Sequence, residues 1–272
     1  MTLFHLFLVA VVQGITEFLP ISSSGHLILL PALTGMEDQG QIIDVSVHFG
    51  TLFAVVLYFW SDVRAGLAGL PNVLRGRIET DGDRLCLSLI IATIPVILLG
   101  LALKVTGLDE AMRSVKVIAW TMLIFGIVLY WADQHGAEVK KTEDWGVKDA
   151  IKLGLWQAIA LIPGTSRSGI TITGARFMGY NRSDAAKVSM LMSIPTILAS
   201  AILLGAEVIS TGNAEAAHDG AIAAGLAFVS ALAALSLMMR LLRSVSYTPY
   251  VIYRFVFGIG LLVWAYFGNP VI

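Results

Sequence analysis

Two short polar stretches in this chain hold residue types able to do chemistry. Residues 17–26 read EFLPISSSGH, which puts a carboxylate (Glu17), three hydroxyls (Ser22, Ser23, Ser24), a glycine (Gly25) and an imidazole (His26) within ten positions. Residues 163–169 read PGTSRSG, which adds the guanidinium of Arg167 among Thr165, Ser166 and Ser168, with Gly164 and Gly169 at the bends and Thr171 just beyond. Gln13 lies four residues before Glu17, so on a helix the two side chains share a face. A carboxylate beside an amide can hold a hard divalent cation through oxygen, with water completing the shell. Serines that open a helix offer free N–H groups and the positive end of its dipole to an anion. The flat fork of an arginine matches phosphate oxygens two at a time. A nucleophilic hydroxyl, a base, an anion cradle and a metal-capable carboxylate are the parts of phosphoryl transfer. The plainer readings are a Glu17–Arg167 pair that only neutralises two charges, and serines that only cap a helix. Three serines with a histidine exceed what a cap needs.

The elements that must position these residues are membrane helices. Of the 272 residues 57% are hydrophobic and 14% charged, with a mean hydropathy of +0.80; a soluble domain carries roughly 25% charged residues. The net charge of -1 leaves no basic stripe for nucleic acid. The single cysteine, Cys86, excludes an intramolecular disulfide and reads as a packed, inert thiol. The N-terminal run lacks the basic flank and small-residue cleavage site of a secretory signal, so it reads as mature protein.

Six segments are long enough to cross a bilayer: 42–60, 85–103, 115–132, 188–209, 221–239 and 251–267. Residues 3–33 and 151–178 each show two short apolar halves around a Pro/Ser/Gly break, which predicts a re-entrant helical hairpin. The expected fold is therefore an all-α polytopic membrane protein, one domain over 1–272, of six transmembrane helices plus two hairpins. The two breaks resemble each other, as do 125–131 and 257–264, so the chain reads as two copies of hairpin plus three spans, 1–132 and 145–270. An odd number of spans per copy gives them opposite orientation, an inverted-topology repeat. Lys and Arg crowd 61–84, 133–152 and 240–248, which assigns those loops to the cytoplasm. The loop at 104–116, with Lys104, Arg113 and Lys116, dissents.

Among the remaining polar residues, Asp44 and His48 share a face and either line a cavity or sit at the membrane surface. Arg254 is expected to snorkel to the interface. His5, His135 and His218 are expected in solvent.

The two motifs closely resemble the signature motifs of the bacterial undecaprenyl-diphosphatase family, linked to bacitracin resistance, and the resemblance extends over nearly the whole chain, including YRF at 253–255. It implies a multi-pass protein of the bacterial inner membrane that hydrolyses a C55 polyprenyl diphosphate lipid to the monophosphate and free phosphate for reuse in wall synthesis. It also implies Glu17 as the essential acid, Ser23 and His26 as nucleophile and acid/base, and Ser166, Arg167, Ser168 and Thr171 as the diphosphate cradle. Gln13 stands where the family often has a second glutamate, which weakens a two-carboxylate site. The expected mechanism has Mg²⁺ or Ca²⁺ bridging Glu17 and the diphosphate, attack by Ser23, proton transfer by His26 and charge stabilisation by Arg167. Direct attack by His26 is the alternative. A lipid transporter on the same repeat is the rival function. An acid-phosphatase-like enzyme is the other rival; it would need a histidine where Thr173 stands. The sequence leaves the oligomeric state open, a homodimer included.

Overall fold

The computed structural model describes residues 1–108, 112, 114–209 and 214–268; side chains are described outside 203–216. The described residues form eleven α-helices: α1 (Leu3–Phe18), α2 (Ser23–Thr34), α3 (Gly40–Tyr58), α4 (Trp60–Leu74), α5 (Asp81–Thr106), α6 (Val115–His135), α7 (Val147–Ala158), α8 (Arg167–Phe177), α9 (Arg182–Ile209), α10 (Ala214–Leu241) and α11 (Thr248–Phe267). They include no strand; the one extended contact is a bridge between Lys140 and Tyr180. Six helices are long and apolar enough to cross a membrane: α3, α5, α6, α9, α10 and α11. The large apolar residues on their outer faces, such as Phe53, Leu98 and Trp131, are exposed. In lipid that is their proper solvent, and helices must then associate through close packing rather than hydrophobic burial. Glycine supplies the closeness where α1 and α3 meet α10. A Cβ on Gly14 would lie 2.0 Å from Ser230 Oγ, and one on Gly50 would lie 2.1 Å from the Ala224 carbonyl.

α3 begins and ends two residues before the expected span, and the other five helices reach beyond theirs at one or both ends. One helix was not foreseen: α4 falls in the segment read as a loop. It is amphipathic but too short and polar for a span, and it packs on α5, where a Cβ on Gly69 would meet the Asp83 backbone at 2.7 Å. Asp83 then accepts the N–H groups of Glu79 and Thr80 in a capping box at the start of α5.

The two interrupted segments form helix pairs, α1–α2 and α7–α8, whose members of 11 to 16 residues are each short of the length that crosses a bilayer. Each second helix starts on a serine in the left-handed region, Ser22 at φ 74° and Ser166 at φ 73°, the two non-glycine residues with positive φ among those described. Each serine hydroxyl accepts the N–H three residues on, from Gly25 and Gly169. The far ends of the pairs are tied to different neighbours: the N-terminal amine bonds Asp219, and Asp149 on α7 holds Lys140 and Tyr180.

Candidate active site

The two turns meet. Arg167 Nη2 donates to Glu17 Oε1 at 2.9 Å, and Ser168 Oγ donates to the Leu19 carbonyl at 2.8 Å. The other carboxylate oxygen, Glu17 Oε2, accepts from Ser23 Oγ at 2.6 Å and from Gln13 Nε2 at 2.9 Å. So the helix face shared by Gln13 and Glu17 is as the spacing predicts. Arg167 is steadied by a second bond, Nη1 to the Ser189 carbonyl at 3.1 Å. A hydroxyl that donates to a carboxylate has the geometry by which a base can activate a nucleophile, and the guanidinium beside it is a group able to bind an anion.

These groups face a cavity of about 730 Å³, lined by Ser22, Ser23, Ser24, Ser166, Arg167 and Glu17 at its floor. The N–H groups of Ser23, Ser24, Arg167 and Ser168 head α2 and α8, so neither helix supplies them with an acceptor, and both dipoles end at this floor. His48, Asp44, Asp38 and Lys104 line it as well. Asp38 precedes α3 and Lys104 ends α5, at the ends of those helices opposite the arginine-bearing segment 61–84.

The other candidate residues lie behind the cavity wall. Gly164 makes the turn possible: its φ is +84°, and a Cβ there would stand 2.2 Å from Thr121 Oγ1. Gly25 and Gly169 spend their N–H groups on the serine caps, so they serve the turn and leave the anion to the preceding amides. Thr165 is buried. Thr171 is buried too and shares a hydrogen bond with Ser189 Oγ. Ser168 is a strut between the turns. His26 is absent from the cavity wall. Its Nδ1 is 2.6 Å from the Ser22 carbonyl and its Nε2 is 2.5 Å from the Tyr253 hydroxyl, with the ring stacked on Phe257.

The imidazole at the cavity is His48. Its Nε2 is 3.9 Å from Glu17 Oε2, and its Nδ1 is 2.7 Å from the Asp44 carbonyl. A carbonyl can only accept, so Nδ1 carries the proton and Nε2 is the nitrogen turned to Glu17. Of the two readings of Asp44 and His48, the cavity is the one observed. Two expectations are corrected. His5 is buried, at 8% exposure, where solvent was expected, because it lies with Leu6 on the inner face of α1 while Leu3 and Phe4 stay exposed. Arg254 does not snorkel: it is fully buried, bonded to five main-chain carbonyls. The signal that could have located it is YRF at the start of an apolar helix, too deep for its head to reach water.

Mg²⁺ or Ca²⁺ finds a meagre site in these residues. Among the described residues no three His, Cys, Asp or Glu side chains cluster to hold a metal. Both oxygens of Glu17 are already bonded to donors, one of them a guanidinium. Oε2 already accepts two bonds, so the carboxylate could offer only the second lone pair of Oε1, beside the positive guanidinium of Arg167.

A family model described as Bacitracin resistance protein BacA matches residues 6–260. The chain belongs to the BacA family. Curated relatives agree over their whole lengths. The chain is 71% identical to the undecaprenyl-diphosphatase of Ruegeria pomeroyi, covering 98% of this chain and 100% of the relative. It is 67% identical to that of a Jannaschia species over the same shares. A more distant one, from Maricaulis maris, is 45% identical over 97% of this chain and 99% of the relative. Both BacA motifs thus sit at the point where the two turns touch.

Proposed function

We propose that this chain is an integral membrane phosphatase that hydrolyses undecaprenyl diphosphate to undecaprenyl phosphate and inorganic phosphate, returning the carrier lipid to wall synthesis. The observation that carries this reading is the bond from Ser23 to a carboxylate that Arg167 also holds, at the head of two helices. The family and the names of its relatives supply the substrate.

In the mechanism, Arg167 exchanges Glu17 Oε1 for oxygens of the terminal phosphate, joined by the free N–H groups that open α2 and α8. Glu17 Oε2 takes the proton as Ser23 Oγ attacks the terminal phosphorus, and the bond to the bridging oxygen breaks, releasing undecaprenyl phosphate. Water then attacks the phosphoseryl phosphorus. The P–Oγ bond breaks, Glu17 returns its proton to Ser23, and the surplus proton of the water leaves to solvent, with His48 the imidazole placed to carry it. A divalent cation, Mg²⁺ or Ca²⁺, would arrive with the diphosphate and neutralise part of its charge.

The finer architecture supports the same reading. Exchanging the halves maps the packing of α1 on α10 onto α7 on α5, and α3 on α10 onto α9 on α5, while the pairs α3/α9 and α6/α11 map onto themselves. With the twin left-handed serine caps, this favours two inverted copies whose re-entrant hairpins enter from opposite faces of the inner membrane. The basic segments then lie in the cytoplasm and the cavity opens to the outer face.

Phosphate release from undecaprenyl diphosphate by purified protein in detergent tests the activity where transport cannot contribute. Rapid quenching with labelled substrate tests the nucleophile: label on Ser23 is expected, and label on His26 would reverse the assignment. Without substrate, calorimetry should detect no stoichiometric binding of Mg²⁺ or Ca²⁺, whereas chelation should stop turnover.

A further inference from the structure

α11 contributes nothing to the cavity wall, yet two consecutive residues on it reach both turns. Arg254 spreads its guanidinium over five main-chain oxygens. Nε donates to Met122 at 2.9 Å. Nη1 donates to Pro20 at 3.2 Å and Thr165 at 3.0 Å, and Nη2 to Thr121 at 3.2 Å and Gly164 at 3.3 Å. A buried arginine satisfied by carbonyls alone keeps its full charge, and its rigid fork fixes where each oxygen stands. Pro20 precedes Ser22 by two residues, as Thr165 precedes Arg167. In a trans peptide the N–H points opposite to the C=O. Holding the Thr165 oxygen therefore turns the Ser166 N–H away from Arg254 and sets the plane from which the left-handed Ser166, and then Arg167, continue.

Tyr253 acts on the other turn through His26. The Ser22 carbonyl can only accept, so His26 Nδ1 carries the proton and Nε2 accepts the Tyr253 hydroxyl at 2.5 Å. The ring also stacks on Phe257, with centroids 4.8 Å apart. With both nitrogens taken and its ring held against Phe257, His26 is fitted to hold the Ser22 carbonyl and with it the hydroxyl of the next residue.

We propose that Tyr253 and Arg254 are positioning residues for the phosphatase reaction: Arg254 locks the two turns to each other, and Tyr253, through His26, fixes the serine turn that presents Ser23. The inference rests on Ser23 and Arg167 as the reacting and phosphate-binding groups. It deepens that reading by assigning His26 to alignment rather than proton transfer.

The test compares Arg254→Lys, Arg254→Gln, Tyr253→Phe and His26→Gln as purified full-length proteins. The readouts are phosphate release from undecaprenyl diphosphate, the pH profile and the unfolding midpoint in detergent. Misplacing reacting groups by an ångström costs on the order of 100-fold, so both Arg254 variants should lose about that in kcat, with KM changed far less. The lysine, which keeps the charge and loses the fork, should fare no better than the glutamine. Tyr253→Phe and His26→Gln should lose on the order of tenfold while keeping the shape of the wild-type pH profile. Near-normal turnover in Arg254→Lys would overturn the positioning role in favour of charge alone. A missing limb in the His26→Gln profile would make His26 a proton carrier and overturn its part. Loss of activity matched by loss of folded protein would reduce Arg254 to a stability residue. If the Arg254 variants do not fold, wild-type turnover in Tyr253→Phe overturns the brace. The underlying reading fails separately, if Ser23→Ala or Arg167→Ala retains turnover.

Discussion

At the scale of single residues the chemistry depends on how one carboxylate divides its two oxygens. Glu17 Oε1 holds Arg167 until substrate arrives, and Oε2 holds the Ser23 proton. Glu17→Gln keeps the shape but cannot take a proton. It should lose about 10²–10⁴-fold in phosphate release with little change in lipid binding. Arg167→Ala removes the charge that faces the equatorial oxygens and should lose on the order of 10³-fold or more. Near-normal turnover in that variant would make Arg167 architectural. His48 carries a proton only at the end of the cycle. His48→Gln should slow turnover by about tenfold at most and flatten one limb of the pH profile, a small share of what general acid–base groups contribute.

At the scale of elements the site depends on two helices that begin where they must. Ser22 and Ser166 accept left-handed backbone, which typically costs about 1 kcal/mol or more and persists where the surroundings enforce it. Gly164 has no alternative, because a side chain would need φ +84° and would collide with Thr121 Oγ1 at 2.2 Å. Gly164→Ala should lower the unfolding midpoint in detergent and take activity with it. Gly146, with open space around it, is the matched control: Gly146→Ala should leave turnover unchanged.

At the scale of the whole molecule a polar lock closes the end opposite the cavity mouth. Asp133, buried, receives Arg182 at 2.7 Å, the Tyr247 N–H at 3.0 Å and Arg176 at 3.5 Å, which joins α6, α8, α9 and α11. Removing one member of a buried charge network strands the others, so Asp133→Ala should cost about 3–5 kcal/mol of stability, read by thermal or denaturant unfolding. Beside it Tyr180 donates to Asp149 at 2.8 Å, and burial, then that carboxylate, raises its phenol above the ordinary value of 10.0. The folded state binds this proton more tightly than the unfolded chain. Its stabilisation is therefore whole below about pH 10 and declines as pH rises further toward the folded value. Tyr180→Phe should flatten that alkaline decline in an unfolding series, and an unchanged decline would assign it to other groups.

The sequence by itself determined the class of the protein and picked out the two polar stretches that meet at the cavity. Composition required a bilayer, and a hydrophobic run broken by serines and glycines marked both turns, because backbone freed from helix at that depth must be covered by protein. Gln13 and Glu17 share a face because helical spacing obliges them to. Tertiary structure alone decided the rest. α4 went unseen because, at 15 residues with polar and basic side chains among its apolar ones, it is too short and too polar to count as a span. Tertiary packing set His48 beside Glu17, tied His26 to Ser22 and Tyr253 and buried Arg254, since what a titratable group meets depends on which carbonyls and carboxylates stand within three or four ångströms. Those neighbours come from residues up to 234 positions away, as Pro20 does for Arg254, and no local pattern records them.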